Sequence, residues 1–369
     1  MLKSLSSLTR LPIPPISTSC RICSSKMSTT KPSPTCPKFI SVEGDDIYSR
    51  SKPDGVRFSL VSYNILAQVY VKSSIFPHSP SPCLKNWMSM IAFTRKILKV
   101  MVIPVFIFRE VGRSVMAVEF FISPTDLLLE ERIEYNDLVD SIQDVSILCD
   151  DKHSDTQANG DENSEPKNGS SSKSTLEDHG DPNDPRVRLK RDCVGIMAAF
   201  RLKNTPHHVI VANTHIYWDP EWADVKLAQA KYLLSRVAQF KELVSEKYEC
   251  VPSVILAGDF NSIPGDKVYE YLVSGSSSSA SLAECLDELP IPLCSVYGST
   301  RGEPPFTNCT PDFTNTLDYI FFVPDDQIKP LSFLELPEAN SPNVLGGLPN
   351  YYHPSDHLPI GAEFEITRE

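Results

Sequence analysis

Residues 253–262 have the sequence SVILAGDFNS, a small and apolar run that ends in polar residues. The run Ser253–Ala257 predicts a short buried strand. Asp259 and Asn261 then lie at the end of that strand, where a sheet presents side chains to its edge. The two would face the same side if the chain is still extended, because side chains alternate along a strand. This stretch therefore predicts a polar site at one edge of a sheet.

Further segments place polar residues beside strand-like runs. They are Asn213–His215 (NTH), Leu317–Ile320 (LDYI) and Ser355–His357 (SDH), with Ser62–Leu66 (SYNIL) upstream. Each segment alone is weak evidence for a functional site, since short Gly-Asp-Phe-Asn or Ser-Asp-His peptides are more often turns. Together, carboxylates, amides and imidazoles that converge from several strand ends suit a hard cation such as Mg²⁺ and a phosphate ester.

The order of elements predicts a mixed-sheet α/β sandwich. Strands are predicted over Arg57–Leu66, Val194–Arg201, His208–Tyr217, Leu317–Val323 and Gly361–Ile366. A helix is predicted to start at Asp219, because an Asp cap is followed by proline at the first position, and to continue through Val237. Tyr269–Val273 is predicted to be helical.

The composition allows one large α/β domain or two smaller ones, since 41% of the 369 residues are hydrophobic. With a net charge of −12, no basic stripe marks a nucleic-acid binder, so phosphate must be held locally.

Ten cysteines, mostly within apolar runs, are typical of buried thiols in a reducing compartment. Cys20 and Cys23 form a CxxC pair without a second pair at zinc spacing. No apolar run approaches the ~20 residues of a membrane-spanning helix.

Two segments differ from the rest in composition. Residues 1–42 contain no Asp or Glu and are rich in Ser, Thr and Pro, which is typical of an organellar transit peptide or of a disordered tail. The first alternative predicts a mitochondrial or chloroplast protein, and the second a cytoplasmic one. Residues 150–185 are acidic and almost free of large apolar side chains, so we expect a disordered surface insertion.

The polar residues fit the needs of phosphodiester hydrolysis. Asp259 is placed to deprotonate the attacking water, while Asn261 and His215 are placed to donate hydrogen bonds to the phosphate. Asp318 and His357 form a plausible carboxylate–imidazole pair, in which the acid fixes the tautomer and sustains a cationic ring.

At these residues the chain resembles the endonuclease/exonuclease/phosphatase superfamily, and within it the carbon catabolite repressor-type deadenylases of plants, with nocturnin and angel proteins as relatives. The matching blocks are SYNIL (62–66), NTHIYWDP (213–220), DVKLA (224–228), AGDFNS (257–262), FTNCT (306–310), TLDYIF (316–321) and SDHLP (355–359). The resemblance covers residues 56–86 and 126–369, interrupted by the acidic insertion. It implies one domain over residues 56–369 with a two-sheet α/β sandwich.

The resemblance also implies roles for named residues. The implied catalytic residues are His215, Asp259, Asn261, Asp318 and His357. Pro220, Asn308 and Phe313 match positions that in this branch embrace an adenine base, and Asn64 would help to bind Mg²⁺. Stacking of a base on Phe313 is physically reasonable, and a buried aromatic is the alternative.

The implied activity is that of a Mg²⁺-dependent 3′-exonuclease acting on poly(A) RNA in mRNA turnover. The similarity to nocturnin leaves a second activity open, that of a 2′-phosphatase acting on NADP(H). Related deadenylases carry a leucine-rich repeat that docks a scaffold complex. No such repeat is visible in this sequence, so we do not expect docking to that scaffold, nor association with a membrane.

The principal metal ligand of the family is missing. In the family, a strand ending in Leu-Gln-Glu follows the Asn strand, and its Glu is the main carboxylate ligand of Mg²⁺. Residues 88–124 contain Glu110 and Glu119, but neither lies in that motif. The remaining oxygen donors for a cation are Asn64 and Asp356.

A shift of reading frame explains residues 88–123. Plausible codons for Met88–Thr94, read one base earlier, give Asp-Glu-Tyr-Asp-Ser-Phe-Tyr, and those for Arg113–Ser123 give Lys-Arg-Asp-Gly-Cys-Gly-Ile-Phe-Tyr-Lys. Both strings belong to the family, so we expect a frame-shifted exon preceded by a skipped one; a divergent but genuine insertion is the alternative. The domain would then miss part of its N-terminal half. A catalytically impaired splice form is therefore a third functional hypothesis.

Deleting residues 150–185 is expected to leave the melting temperature and any hydrolytic activity nearly unchanged, because the segment lacks the apolar residues needed to pack. Thermal unfolding and an activity assay on the deletion variant, beside the full chain, check this. A large loss of either quantity would show that the segment is part of the fold.

Overall fold

The computed structural model describes residues 38–42, 55–65, 70–85, 105–109, 117–121, 125–139, 184–274, 289–324 and 327–367. The strands are β1 Phe39–Ser41, β2 Val56–Ser62, β3 Val105–Arg109, β4 Ala117–Phe121, β5 Thr125–Glu134, β6 Val194–Leu202, β7 His208–His215, β8 Ser253–Asp259, β9 Cys294–Ser295, β10 Asn308–Cys309, β11 Thr314–Asn315, β12 Asp318–Phe322, β13 Ile328–Leu334 and β14 Ile360–Ile366. The helices are α1 Ser81–Lys85, α2 Pro185–Arg188, α3 Ala223–Tyr248 and α4 Lys267–Val273.

Two sheets carry the fold. The larger has six strands in the order β5-β6-β7-β8-β12-β9, and only its β7–β8 pair is parallel. Helix α3 connects β7 to β8, because parallel neighbours need a crossover to return the chain to the same edge. The smaller sheet has four antiparallel strands in the order β1-β13-β14-β2.

The core lies on both faces of the six-stranded sheet. On one face, Phe200 and Ile255 of this sheet pack against Phe58 and Phe364 of the four-stranded sheet, and all four are fully buried. On the other face, helices α3 and α4 pack onto the sheet through another apolar cluster, which includes Phe240. The prediction of a two-sheet α/β sandwich is confirmed.

Most predicted elements match the structure, but the start of the long helix does not. The helix begins at Ala223, not at Asp219. The Asp219 carboxylate accepts a hydrogen bond from the backbone N–H of Glu221 at 3.0 Å, and the Asp219 carbonyl accepts one from Trp222 at 3.2 Å. Asp219 therefore closes a turn that precedes the helix, and Pro220 lies in that turn and not in the helix.

The ends of the two segments of unusual composition belong to the fold. Strand β1, which falls inside the predicted leader 1–42, pairs with β13, so the folded unit begins before residue 56. Asp184 caps helix α2, and Arg188 of that helix holds the Asp224 carboxylate with two hydrogen bonds of 2.6 and 2.8 Å. A deletion that tests the acidic insertion should therefore end at residue 183. The rest of both segments, and the CxxC pair, lie outside the described residues.

Strand β2 lies at the edge of the four-stranded sheet, yet its residues Phe58–Ser62 are all buried. Strands β3 and β4, which fall inside the predicted frame-shifted segment 88–123, pair only with each other in the described part of the chain. The frame shift itself stays a prediction. None of the helices in the described part of the chain has the length and apolar character needed to cross a membrane.

Gly258 is required by the close approach of β8 to β7. Its φ of 142° is one that L side chains rarely adopt, and an added Cβ would lie 2.0 Å from the carbonyl oxygen of Thr214. We expect Gly258→Ala to lower the free energy of unfolding by more than the ~1–3 kcal/mol of backbone strain alone. Gly265→Ala is the matched control, because Gly265 also has a positive φ of 94° but no atom within 4 Å of the added Cβ. Urea unfolding measures the free energy of unfolding of both variants. An equal loss of stability in the two would contradict the prediction.

Candidate active site

The register of three strands places three of the predicted catalytic residues side by side. His215 ends β7 and Asp259 ends β8, and the two are partners in the parallel ladder. Asp318 begins β12 and is the partner of Asp259 in the antiparallel ladder on the other side. Their side chains therefore start from one row at one edge of the six-stranded sheet.

The four-stranded sheet brings the remaining polar residues to the same place. Asn64 lies just after β2, and Asp356 and His357 lie just before β14. His357 also forms an isolated bridge with Asn308. The site therefore lies between the ends of both sheets.

The predicted residues surround one cleft of about 930 Å³. Nine of the ten line it: Asn64, His215, Pro220, Asp259, Asn261, Asn308, Phe313, Asp356 and His357. The tenth, Asp318, is buried and hydrogen-bonded to His357. The cleft thus unites residues that span most of the chain, although the role of each stays a prediction.

Asp259 is the centre of this arrangement, and it is only 3% exposed. Its Oδ2 accepts a hydrogen bond from Asn64 Nδ2 at 2.7 Å, and its Oδ1 accepts one from the backbone N–H of Asn261 at 2.9 Å. The Nε2 atoms of His215 and His357 both lie 3.6 Å from Oδ2. One carboxylate therefore faces two imidazoles across a gap at the end of the sheet.

Asn261 adopts a turn and not the extended conformation considered from the sequence. Its φ is 43°, in the left-handed region that Asn tolerates better than most residues. Its side-chain Nδ2 donates to the carbonyl oxygen of Ile216 at 2.9 Å. The amide therefore ties the loop after β8 to the segment after β7, while Asn261 still lines the cleft.

Asp318 and His357 form the expected carboxylate–imidazole pair, with Oδ2 and Nδ1 2.7 Å apart. Thr307 Oγ1 accepts the backbone N–H groups of Leu317 and Asp318, so its own proton is free to be donated to Asp318 Oδ2, at 2.7 Å. Such a donor favours the ionised carboxylate.

The electrostatics of this pair favour a protonated imidazole. Burial lowers the pKa of His357, but Asp318 and Asp259 outweigh this effect and raise the pKa to about 10. Burial also raises the pKa of the Asp318 carboxyl, and His357 opposes that shift. We place the shared proton on the imidazole, because the Thr307 hydroxyl also stabilises the Asp318 carboxylate. The pair then presents a charged Nε2–H to the cleft.

The oxygen donors near Asn64 form a second part of the site. Ser355 Oγ donates to the Asn64 carbonyl oxygen at 2.7 Å, and Asn308 Nδ2 lies 3.4 Å from Asp356 Oδ2. Asn64 and Asp356 are thus held close through Ser355. Separately, atoms of Asp259, Asp318 and His357 lie within 4.8 Å of one another, so an Asp/His metal site is geometrically possible there.

Lys226 is a residue of the site that the sequence analysis missed. It is 4% exposed, and its Nζ donates to the carbonyl oxygen of Asn261 at 2.7 Å. Burial lowers its pKa, while Asp266, Asp219 and Asp259 oppose the shift. The lysine therefore holds the turn that carries Asn261. The sequence feature that could have indicated this role is a lysine that follows Val225 directly, on the buried side of α3.

The predicted base-binding residues lie at the rim of the cleft. Phe313 is 42% exposed in the hairpin between β10 and β11, so the alternative of a buried aromatic is wrong. Pro220 is exposed in the turn before α3, and Asn308 is buried. All three line the same cleft as Asp259.

Comparisons with known proteins agree with this arrangement. The chain is 49% identical over 429 aligned positions to "Carbon catabolite repressor protein 4 homolog 4" of Arabidopsis thaliana, covering 99% of this chain and 100% of that protein. The alignment is longer than the 369 residues of this chain, so the relative has residues without a counterpart here. The chain is also 34% identical over 183 residues to a "Probable CCR4-Not complex 3'-5'-exoribonuclease subunit Ccr4" of Vairimorpha ceranae, covering 48% of this chain but only 37% of that subunit.

The fold has a counterpart among solved structures. The crystal structure of ANGEL2, a 2′,3′-cyclic phosphatase, matches with a TM-score of 0.57 and 20% identity, covering 90% of this chain and 98% of the other. The model of the Endonuclease/Exonuclease/phosphatase family matches residues 149–357, which is more than half of this chain. The resemblance inferred from the motifs is therefore confirmed, and the chain belongs to the Endonuclease/Exonuclease/phosphatase family, with 3′-5′ exoribonucleases of the CCR4 type among its relatives.

Proposed function

We propose that this chain derives from a Mg²⁺-dependent 3′-exonuclease that removes adenylate residues from poly(A) RNA in mRNA turnover. The observation that carries the proposal is the cleft around Asp259, where a buried carboxylate, two imidazoles and the base-binding candidate Phe313 come together. The Arabidopsis relative, which matches the chain almost end to end, supports the same assignment.

The chain's own residues offer a base for the attacking water and hydrogen-bond donors for the phosphate. Asp259 takes the proton of the attacking water, since its Oδ2 points into the gap between the two imidazoles. His215 donates to a phosphate oxygen, and the charged Nε2–H of His357 is the second donor. Charge grows on the phosphate oxygens in the transition state, so fixed donors at this point lower the barrier.

The excess of negative charge in the cleft favours a bound cation. Its lining carries the carboxylates of Asp192, Asp259, Asp266 and Asp356, against the ammonium groups of Lys226 and Lys267 and the protonated imidazole of His357. An anionic substrate would be repelled by this balance unless a metal ion offsets it.

The donor set fits Mg²⁺ in type, because hard cations prefer oxygen ligands. Asn64 and Asp356 would hold the ion, which would neutralise charge on the phosphate when bound. No glutamate lines the cleft among the described residues, so the site has few charged ligands. A weak metal site supports the hypothesis of a catalytically impaired splice form, and a version with the Leu-Gln-Glu segment restored is the proper reference for activity.

Adenine recognition is the part of the proposal that separates the candidate substrates. Phe313 and Pro220 offer exposed apolar surface at the rim, and Asn308 offers an amide beside them. A poly(A) end, NADP(H) and an RNA ending in adenosine 2′,3′-cyclic phosphate all present an adenine next to a phosphate. We favour poly(A), because the curated Ccr4 relatives are described as 3′-5′ exoribonuclease subunits.

Asp259→Ala in the restored version is expected to lower the rate of oligo(A) shortening by at least ~10²-fold, because the proposed base is lost. Asp192→Ala removes a carboxylate from the exposed rim of the same cleft and serves as the control for charge alone. Single-turnover assays on oligo(A), NADPH and a cyclic-phosphate RNA complete the test. Preferred turnover of NADPH would replace the proposed substrate, and near-full activity of a folded Asp259→Ala variant would remove the proposed base.

The chain as it stands is expected to bind Mg²⁺ at least ~10-fold more weakly than the restored version, since affinity at oxygen sites follows the number of charged ligands. Isothermal titration of Mg²⁺ into both proteins measures this without reference to activity. Equal affinities, together with comparable Mg²⁺-dependent turnover, would show that residues 88–123 are a genuine variant and would overturn the frame-shift hypothesis.

A further inference from the structure

Exposed aromatic rings are concentrated at the mouth of the cleft. Among the described residues, four large aromatic side chains are more than one third exposed: Tyr70 at 47%, Trp218 at 65%, Phe313 at 42% and Tyr351 at 37%. The first three line the cleft and Tyr351 does not. Trp218 is the most exposed of them and has no part in the chemistry described above. An exposed indole beside a catalytic centre suggests a contact with substrate.

The surroundings of Trp218 differ from those of the neighbouring Trp222. The guanidinium groups of Arg188 and Arg191 lie 4.1 and 4.3 Å from the centre of the Trp222 ring. Arg191 also lies 5.0 Å from the ring of Tyr217. No such cation lies over Trp218 within the described part of the chain, and its one recorded ring neighbour is Tyr217, at 6.1 Å with a 50° tilt. Trp222 is thus part of a packed cluster, while Trp218 offers its indole to the cleft.

The cluster brings a cation to the residue that precedes Trp218, because Arg191 lies over the ring of Tyr217. Arg188 and Arg191 are both held in position, Arg188 by Asp224 and Arg191 by the carbonyl oxygens of Val187 and Lys190. The pairing of an open aromatic ring with neighbouring arginines is the arrangement by which proteins bind single-stranded nucleic acid, with bases on the rings and the backbone near the cations.

We propose that Trp218 stacks on the base of the nucleotide that precedes the terminal one in a single-stranded RNA substrate. This inference rests on the proposed function, in which Pro220, Asn308 and Phe313 receive the terminal adenine. Trp218 precedes Pro220 by two residues and lines the same cleft, so we place the next base along the strand against its ring. Every base has a flat face, so this second position accepts any base while the terminal position selects adenine.

The test is a double-substitution cycle on binding to the full chain. The probes are fluorescein-labelled A6 RNAs with a non-hydrolysable phosphonate at the last linkage, either intact or lacking the penultimate base. Fluorescence anisotropy in Mg²⁺ measures their affinity for the parent chain and for Trp218→Ala. We expect the Trp218→Ala substitution to weaken binding of the intact RNA by about ten-fold and to have little effect on the abasic RNA.

Matched variants separate stacking from a general disturbance. Trp218→Phe keeps an aromatic ring and should retain most of the affinity, while Tyr351→Ala removes an exposed aromatic away from the cleft and should change nothing. If Trp218→Ala weakens both RNAs equally, or neither, Trp218 does not stack on the penultimate base, and the proposed function stands. If the parent chain binds no RNA while it binds NADPH, the proposed function fails and this proposal fails with it.

Discussion

The parallel pairing of β7 with β8 is the constraint on which the site depends. It aligns His215 with Asp259 at one edge of the sheet, and the antiparallel pairing of β8 with β12 adds Asp318 to the same row. A shift of one residue in either ladder would turn these side chains to the opposite face. The approach of the two strands at this point is so close that Gly258 faces the Thr214 carbonyl where any side chain would collide. The pairing of the backbone therefore sets the row of His215, Asp259 and Asp318.

Burial of Asp259 sets the second requirement. An ionised carboxylate that is 3% exposed needs hydrogen bonds and opposite charge close by. Asn64 and the Asn261 backbone supply the hydrogen bonds, and His357 supplies charge because Asp318 sustains its protonated ring. Lys226 does not contact Asp259 through this hydrogen bond but supports it indirectly. It fixes the turn from which the Asn261 N–H points at Asp259. Polar residues that look separate in sequence thus form one connected network.

The sequence predicted the strands and the members of the site because their signals are local. An apolar run that ends in Gly-Asp-Phe-Asn marks both a strand and its polar end, and the structure brings the matching segments together at Asp259. The sequence did not predict the turn at Asn261, the late start of α3 or the role of Lys226. Two of these depend on contacts between distant segments: Asn261 is anchored to Ile216, and Lys226 reaches the Asn261 carbonyl from another element. The late start of α3 follows from a local turn, in which Asp219 accepts hydrogen bonds from Glu221 and Trp222 ahead of the helix. Secondary-structure propensity alone does not predict such contacts.

The candidate site is divided between two sheets, and this division separates the row at Asp259 from the proposed metal ligands. His215, Asp259 and Asp318 come from the six-stranded sheet, whose ladders are complete among the described strands. Asn64 comes from the end of β2, which is the edge strand of the other sheet, and β4 lies beside β2 without a ladder between the two in the described part of the chain. A buried edge leaves backbone N–H and C=O groups that ordinarily pair with another strand. Loss of an ordered strand at that edge would therefore weaken the support of Asn64, while the row of His215, Asp259 and Asp318, built on the other sheet, would keep its geometry.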